Sequence, residues 1–321
     1  MELNKVHNLD FLNNDLPDKC AKLIIADPPY YKTKGNFDFI WKTFDDYLVD
    51  VEKWCLECKR ILADNGTLLW YGGSKNIAYS QIIFDKHFNL INSLVWENTN
   101  QAKQSMVNVE EYRSFPPLTE RILMYVNEEA VNKATLIHKD YFISIIDKIQ
   151  ETAKIEDFVN CLLSLNVAGS KESAKVLASY KLGKHKTRFD LLSKEMYDFI
   201  DGFNYSFNEL ENEYKNLKNE YEKTRRYFEN IHKLGDVIRL PNYETSDYDH
   251  DTIKPKKLTR ILITTCTREN DLVIVPFSGS GTECAMSAKE KRPFVGYEII
   301  KKHAEISQAR ANKILTEPTM F

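Results

Sequence analysis

Leu23-Ile24-Ile25-Ala26 runs directly into Asp27-Pro28-Pro29-Tyr30, and that junction decides how the first part of the chain is read. Four consecutive apolar residues stopped by two prolines predict a buried parallel strand that ends abruptly, because neither proline can donate to a sheet ladder. A helix is expected from Phe44 to Leu62, where Tyr47, Leu48, Val51, Trp54, Cys55, Cys58, Ile61 and Leu62 recur at helical spacing. Asn65-Gly66 then turns the chain into a strand at 67–71 that stops at Gly72-Gly73, and further strands are expected at 93–96 and 121–126. Strands separated by helices argue for a parallel α/β sheet.

The pattern changes at about residue 131. From there to 234 only helical periodicity is found, interrupted near Gly169, Gly183 and Gly202, which reads as an inserted, mainly helical domain. Its last helix opens with Ser206 and Glu209 at capping-box spacing, and Leu210, Tyr214, Leu217, Tyr221, Thr224, Phe228 and Ile231 then repeat in alternating steps of four and three. Such a stripe is long enough for a seam with a second copy of the chain, although packing on the chain's own core is the plainer use. After 235 the α/β pattern resumes, with a strand at 272–275, a glycine loop, a helix from Glu283 and a strand at 294–298. The expected organisation is therefore a discontinuous α/β domain, 1–130 and 235–321, wrapped around an insert at 131–234.

Composition limits the partners. The sequence holds no run of about 18 apolar residues, and its N-terminus lacks the basic and apolar regions of a secretory signal, so a cytoplasmic protein without a membrane partner is expected. Six cysteines without a paired framework fit reduced thiols. Cys55 and Cys58 form an isolated CxxC with no second pair and no clustered His, so no metal site is expected. A net charge of −3 gives no general attraction to a polyanion, and any nucleic-acid surface must be local. The stretch from Lys171 to Lys194 supplies one, with seven positive residues against Glu172 and Asp190. Within it Lys181, Lys184, Lys186 and Arg188 are the candidate phosphate contacts, a solvated helical face being the bland alternative.

Two motifs carry chemistry. In Asp27-Pro28-Pro29-Tyr30 the prolines remove two backbone donors and leave carbonyls free to accept hydrogen bonds, next to a carboxylate and an aromatic ring. Such a loop suits a planar ring bearing an amino group, with Asp27 and the Pro28 carbonyl accepting from NH2 and Tyr30 stacking on the face. A rigid surface turn would use the same residues. Phe277-Ser278-Gly279-Ser280-Gly281-Thr282 follows a strand and opens a helix, so Gly279 and Gly281 allow close backbone approach to a ligand. Glu298 lies 17 residues after Gly281, near the spacing at which an acidic residue takes ribose hydroxyls in nucleotide folds. The full GxGxxG dinucleotide pattern is absent.

These two motifs, in this order and about 250 residues apart, make the sequence resemble the β-class DNA amino-methyltransferases, bacterial and phage enzymes acting on adenine N6 or cytosine N4. The resemblance covers both flanks, including the segments HNLDFLNNDLPDKCAKLIIADPPYY, KRILADNGTLLWYGG, IKPKKLTRILI and DLVIVPFSGSGTECAMSAKEKRPFVGYE, and the insert more loosely. It implies a circularly permuted, Rossmann-like methyltransferase sheet with a target-recognition insert, S-adenosylmethionine as methyl donor and double-stranded DNA as substrate. It also implies roles. Asp27, Pro28, Pro29 and Tyr30 would form the catalytic motif, and Phe277, Gly279, Ser280, Gly281 and Thr282 would surround the cofactor together with Asp27. Glu298 would take its ribose, Asp10 would lie near its adenine, and Lys254 with Pro255 would close its methionine end. One departure stands out: the residue before Pro276-Phe277 is usually Asp in that class and is Val275 here, which puts cofactor affinity in question.

The resemblance favours adenine N6, because cytosine enzymes of the class more often carry Ser where this chain has Asp27. Cytosine N4 methylation uses the same geometry and is the nearest alternative, and a catalytically impaired DNA-binding homologue is the alternative from another class. RNA-base and glutamine methyltransferases usually carry Asn at the Asp27 position and lack a large insert. The recognition sequence, the pairing of two copies and the presence of a cognate restriction endonuclease are not written in the residues.

If Lys181, Lys184, Lys186 and Arg188 contact DNA phosphates, neutralising all four will weaken DNA binding and flatten its dependence on salt. Titrations at several salt concentrations measure this, and an unchanged slope returns the stretch to a solvated surface.

Overall fold

The structure is a computed structural model that describes residues 1–32, 40–100, 118–127, 154–181, 216, 219, 225–242 and 253–316. The chain forms two compact units, one of residues 1–130 and 226–321 and the other of 131–225.

The first unit is built on one eight-stranded sheet: β1 (Lys5–His7), β2 (Ala21–Ala26), β3 (Leu62–Gly73), β4 (Asn89–Glu97), β5 (Thr119–Val126), β6 (Val237–Arg239), β7 (Val273–Val275) and β8 (Phe294–Tyr297). Their spatial order is β1-β8-β7-β2-β3-β5-β4-β6. From β1 to β3 every pairing is parallel, but β5 runs antiparallel to both β3 and β4. The sheet is therefore mixed rather than parallel throughout, which corrects the sequence expectation. The reason lies in the direction of β5: its Glu120 pairs opposite Gly73 and Trp96, near the ends of β3 and β4, and its Val126 opposite Thr67 and Asn89, near their starts, so it runs back against both neighbours.

Alternation along the strands sorts side chains onto two faces. Ile24, Ala26, Leu68 and Trp70 pack with α1 (Phe44–Ile61) and α2 (Ile77–Phe84), whereas Leu23, Ile25, Leu69 and Tyr71 pack with α5 (Lys256–Cys266), α6 (Thr282–Lys289) and α7 (Lys301–Thr316) of the opposite layer. Helix α1 starts at a reciprocal cap, with Thr43 Oγ1 accepting from Asp46 N at 3.1 Å and Asp46 Oδ2 accepting from Thr43 N at 3.0 Å. It buries Tyr47, Val51, Trp54, Cys55, Cys58 and Ile61. Both members of the CxxC thus face the core, where burial pushes the Cys55 thiol up to about 12 and holds Cys58 well above its usual range.

In the second unit the described elements are α3 (Ile155–Ser164) and α4 (Lys171–Lys181), which pack on each other through Phe158, Cys161, Leu162, Ala174 and Ala178. The expected closing helix from Ser206 lies mostly outside the described residues. Its end does not reach Ile231: residues 225–231 are not helical, and Phe228 and Ile231 are exposed. The apolar stripe therefore loses its last two members, because residues 225–236 lead without helix into β6 beside β4. No helix among the described residues is long and apolar enough to cross a membrane.

Trp70 is the hub of the α1–α2 side of the core, fully buried with ring centroids 4.6 Å from Phe84 and 6.3 Å from both Trp54 and Phe277. Trp70→Ala should cost about 3–5 kcal/mol, read as a lower urea midpoint with unchanged slope. A loss below about 1 kcal/mol would show that the neighbouring rings close the gap.

Candidate active site

Strand order explains why two motifs distant in sequence meet. β2 and β7 are parallel neighbours, paired through Leu23–Val273 and Ile24–Ile274, so the loops leaving their C-terminal ends emerge side by side. One is Asp27-Pro28-Pro29-Tyr30 and the other is Pro276 to Thr282. A crevice outside the carboxyl ends of parallel strands is where open α/β sheets bind ligands.

Around Asp27 the chain gathers charge. Tyr30 OH donates to Asp27 Oδ1 at 2.6 Å, and Lys254 Nζ lies 3.0 Å from Asp27 Oδ2. The same ammonium is 2.8 Å from Glu120 Oε2, which also accepts from Tyr30 OH at 3.1 Å. Lys254 is only 5% exposed, and its ammonium stands over the rings of Tyr30 and Tyr71 at 5.4 and 5.1 Å. Burial raises the Asp27 carboxyl above its usual range; the Lys254 charge opposes that rise and Glu120 adds to it. For Lys254 burial works against the charged form, but Asp27 and Glu120 outweigh it and hold the ammonium protonated. Asn76 Nδ2 donates to the Tyr30 carbonyl at 3.0 Å and fixes the loop where Tyr31 and Lys32 take left-handed φ of 61° and 51°.

The glycine loop is held from two sides. Glu298 Oε2 accepts from Gly279 N at 2.9 Å, and Ser278 N donates to the Tyr297 carbonyl at 2.8 Å, tying the loop to the end of β8. From α7, Arg310 Nη1 donates to the Ser280 carbonyl at 2.6 Å and approaches Ser280 Oγ and Thr282 Oγ1. Gly281 has φ +80°, and a Cβ there would lie 2.5 Å from Ser307 Cα, so no other residue fits this turn. Phe277 turns inward against Trp54 at 5.0 Å and Phe11 at 6.2 Å.

Of the residues singled out in the sequence, Asp27, Tyr30 and Lys254 form one cluster, and Phe277, Gly279, Ser280, Gly281, Thr282 and Glu298 line the neighbouring loop. Pro28 is buried and Pro29 half-buried in the loop after β2, between Asp27 and Tyr30. Asp10 follows β1 and accepts from Leu12 N at 2.9 Å; it sits beside the end of β8, where Leu9 N bonds the Glu298 carbonyl. Val275 is fully buried among the apolar side chains facing α5 to α7. Lys181 closes α4, while Lys184, Lys186 and Arg188 lie outside the described residues. Sequence reading missed Glu120, Glu283 and Arg310. Glu283, in the first turn of α6, is 5% exposed, and burial followed by the nearby Asp27 charge raises its carboxyl to about 7.

A family model described as DNA methylase, of the N6/N4 type, matches residues 21–309. Among curated proteins, the type II methyltransferase M.HinfI of Haemophilus influenzae is 22% identical over 323 residues, covering 94% of this chain, and the chain spans 66% of that protein's length. The DNA adenine methyltransferase YhdJ of Escherichia coli (strain K12) is 23% identical over 92% of this chain and 77% of its own. Among solved structures, the M1.HpyAVI–SAM complex superposes with a TM-score of 0.51 at 16% identity, over 95% of this chain and 98% of that one. The cytosine-N4-specific PvuII DNA methyltransferase gives 0.55 at 12% identity, over 96% and 89%. At these identities the structural likeness establishes the fold.

Glu283 makes stability depend on pH in a definite direction. Its native carboxyl stays protonated up to about pH 7, whereas an unfolded Glu ionises near 4.3, so the native state binds the extra proton between these values and stability falls as pH rises through that window. Wild type should lose on the order of 3 kcal/mol relative to Glu283→Gln between pH 5 and 8, measured as urea midpoints at each pH. Parallel curves for the two proteins would contradict the assignment.

Proposed function

Since the chain belongs to the N6/N4 DNA methylase family, we propose that it transfers a methyl group from S-adenosylmethionine to the exocyclic amino group of adenine, N6, in double-stranded DNA. The observation that carries this reading is the placement of an acidic Asp-Pro-Pro-Tyr loop beside a glycine loop on adjacent parallel strands.

The residues beside the glycine loop suit the methyl donor. Gly279 offers a side-chain-free approach, and the Glu298 carboxylate beside it matches a pair of ribose hydroxyls. Asp10 and the exposed apolar Leu9, Ile299 and Ile300 lie at the same strand ends, a surface suited to a planar adenine. Phe277, Ser280, Gly281 and Thr282 complete that wall. When bound, S-adenosylmethionine supplies an electrophilic sulfonium methyl.

The chain's own task is the amino group. Its nitrogen is a poor nucleophile because the lone pair is delocalised into the ring, so the protein must draw on the N–H bonds to localise that pair. Asp27 and the Pro28 carbonyl would accept those hydrogens, and Tyr30 would stack on a base rotated out of the duplex. Acceleration then comes from alignment and fixed dipoles, without a covalent enzyme intermediate. Lys254, engaged here by Asp27 and Glu120, acts at the amino-group side of the site, and not only at the methionine end that its Lys-Pro segment implies. The 131–225 unit, which contains Lys181, Lys184, Lys186 and Arg188, would hold the target DNA.

Adenine is preferred because Asp27 offers the amino group a charged acceptor, stronger than a neutral hydroxyl. Unmethylated genomic DNA treated with the protein and S-adenosylmethionine, digested and weighed by mass spectrometry, should yield N6-methyladenine. Asp27→Ala should lose at least 100-fold in rate, about 2.7 kcal/mol of barrier, while binding S-adenosylmethionine like wild type in calorimetry. Predominant N4-methylcytosine would reject adenine and keep the methyltransferase; no binding of S-adenosylmethionine would favour an impaired DNA-binding homologue, with Val275 the first residue to restore to Asp.

A further inference from the structure

Glu120 has no part in the roles above, yet it touches both groups that touch Asp27. It enters from β5, the antiparallel strand, paired opposite Gly73 of β3 and Trp96 of β4. Its Oε2 accepts from Lys254 Nζ at 2.8 Å and from Tyr30 OH at 3.1 Å. Each oxygen of Asp27 meanwhile faces one of those same donors, Tyr30 OH at 2.6 Å and Lys254 Nζ at 3.0 Å.

A carboxylate in that state is a poor acceptor for a further, weak donor. Each oxygen of Asp27 keeps a second lone pair, but an oxygen already bonded to an ammonium or a phenol offers less charge to an aromatic NH2, and the ammonium bond is charge-assisted and about twice as strong as a neutral one. The tyrosine hydroxyl carries one proton, so at any moment it serves Asp27 or Glu120 but not both.

We propose that Glu120 is a positioning residue for methyl transfer: it takes over the Tyr30 hydroxyl proton and shares the Lys254 ammonium, which frees Asp27 Oδ1 to accept the amino group of the target base. The inference rests on the base-amino reading of the site given above. No bond is made or broken in this step; one hydroxyl rotates from one carboxylate to the other, and the ammonium remains between them. Glu120 suits the task because its side chain is 30% exposed, so it meets solvent as well as the site, while Asp27 at 19% is more enclosed.

The two carboxylates also act on each other electrostatically. Asp27 is faced by Lys254 from the segment before α5, by Tyr30 of its own loop, by Glu120 of β5, by Glu283 of α6 and by Tyr71 of β3. Removing the negative charge of Glu120 leaves the Lys254 charge to Asp27 alone, so the Asp27 carboxyl ionises at lower pH and accepts more weakly. These two consequences pull a pH profile in different directions, which separates positioning from general damage.

The test compares wild type, Glu120→Gln and Glu120→Asp in single-turnover methylation of unmethylated bacterial genomic DNA, with saturating radiolabelled S-adenosylmethionine, between pH 5 and 9. For Glu120→Gln we expect a plateau rate at least tenfold lower, an acid limb displaced to lower pH, and S-adenosylmethionine affinity within twofold of wild type. Glu120→Asp, which keeps the charge on a shorter arm, should retain the wild-type acid limb and an intermediate rate. A Glu120→Gln plateau within twofold of wild type overturns the proposal, and so does a lowered plateau with an unmoved acid limb, which would mark Glu120 as merely structural. If wild type itself methylates no base, the base-amino reading fails and this inference with it; if wild type is active and the variant indistinguishable, only the inference fails.

Discussion

The site depends on one buried cation. An isolated ammonium withdrawn from water costs several kcal/mol even after relaxation, and Lys254 is 5% exposed. What makes its position tenable is a carboxylate on either side, Asp27 at 3.0 Å and Glu120 at 2.8 Å, with two aromatic faces beneath. The dependence is mutual. Burial alone would protonate Asp27 and spoil it as an acceptor, and the Lys254 charge works against that. The loop after β2, the start of β5 and the segment before α5 are thereby fixed to one another through side chains rather than backbone.

That arrangement requires the strand order. Glu120 reaches Asp27 and Lys254 only because β5 runs against β3, bringing its first residues to the end where β3 finishes, beside the end of β2. In a parallel β5, Glu120 would sit at the opposite edge of the sheet, about 20 Å away for a strand of this length. The antiparallel strand that departs from the sequence expectation is thus the strand that completes the charge cluster.

The sequence is legible where signals are local. The LIIA run and the prolines after it mark β2, the apolar periodicity marks α1, and the glycines mark the loop after β7. What escapes is what the chain encodes only through its fold. β1 and β6 have three residues each, too few to display a period of two. Helix α2, IAYSQIIF, is apolar almost all round and gives no stripe to recognise. The direction of β5 cannot be read because five consecutive buried residues look alike in either orientation. Glu120 reads as a charge at a strand end; its partners Tyr30 and Lys254 are 90 and 134 residues away. Arg310 reads as one of many charges on a terminal helix, although it is 7% exposed and binds Ser280.

Arg310 does for the glycine loop what Lys254 does for the acidic loop. Its guanidinium holds the Ser280 carbonyl at 2.6 Å from below, while Glu298 holds Gly279 N at 2.9 Å from the side. A loop of glycines would otherwise carry the largest backbone entropy in the chain and order only on contact with a ligand. Pinned at two adjacent residues, Gly279 and Ser280, by charge-assisted bonds, it needs little further ordering, and ligand affinity is not spent on it. Glu298 is the exception, because the carboxylate that pins the loop is also the group proposed to receive ribose hydroxyls. Two oxygens make both possible: Oε2 accepts from Gly279 and Oε1 from Ile300 N at 2.8 Å, and each retains a second lone pair for a hydroxyl donor. A Gln there would keep one acceptor and turn the other into a donor aimed at a backbone N–H, so holding the loop by itself calls for a carboxylate, whatever the outcome of the proposed contact to a sugar.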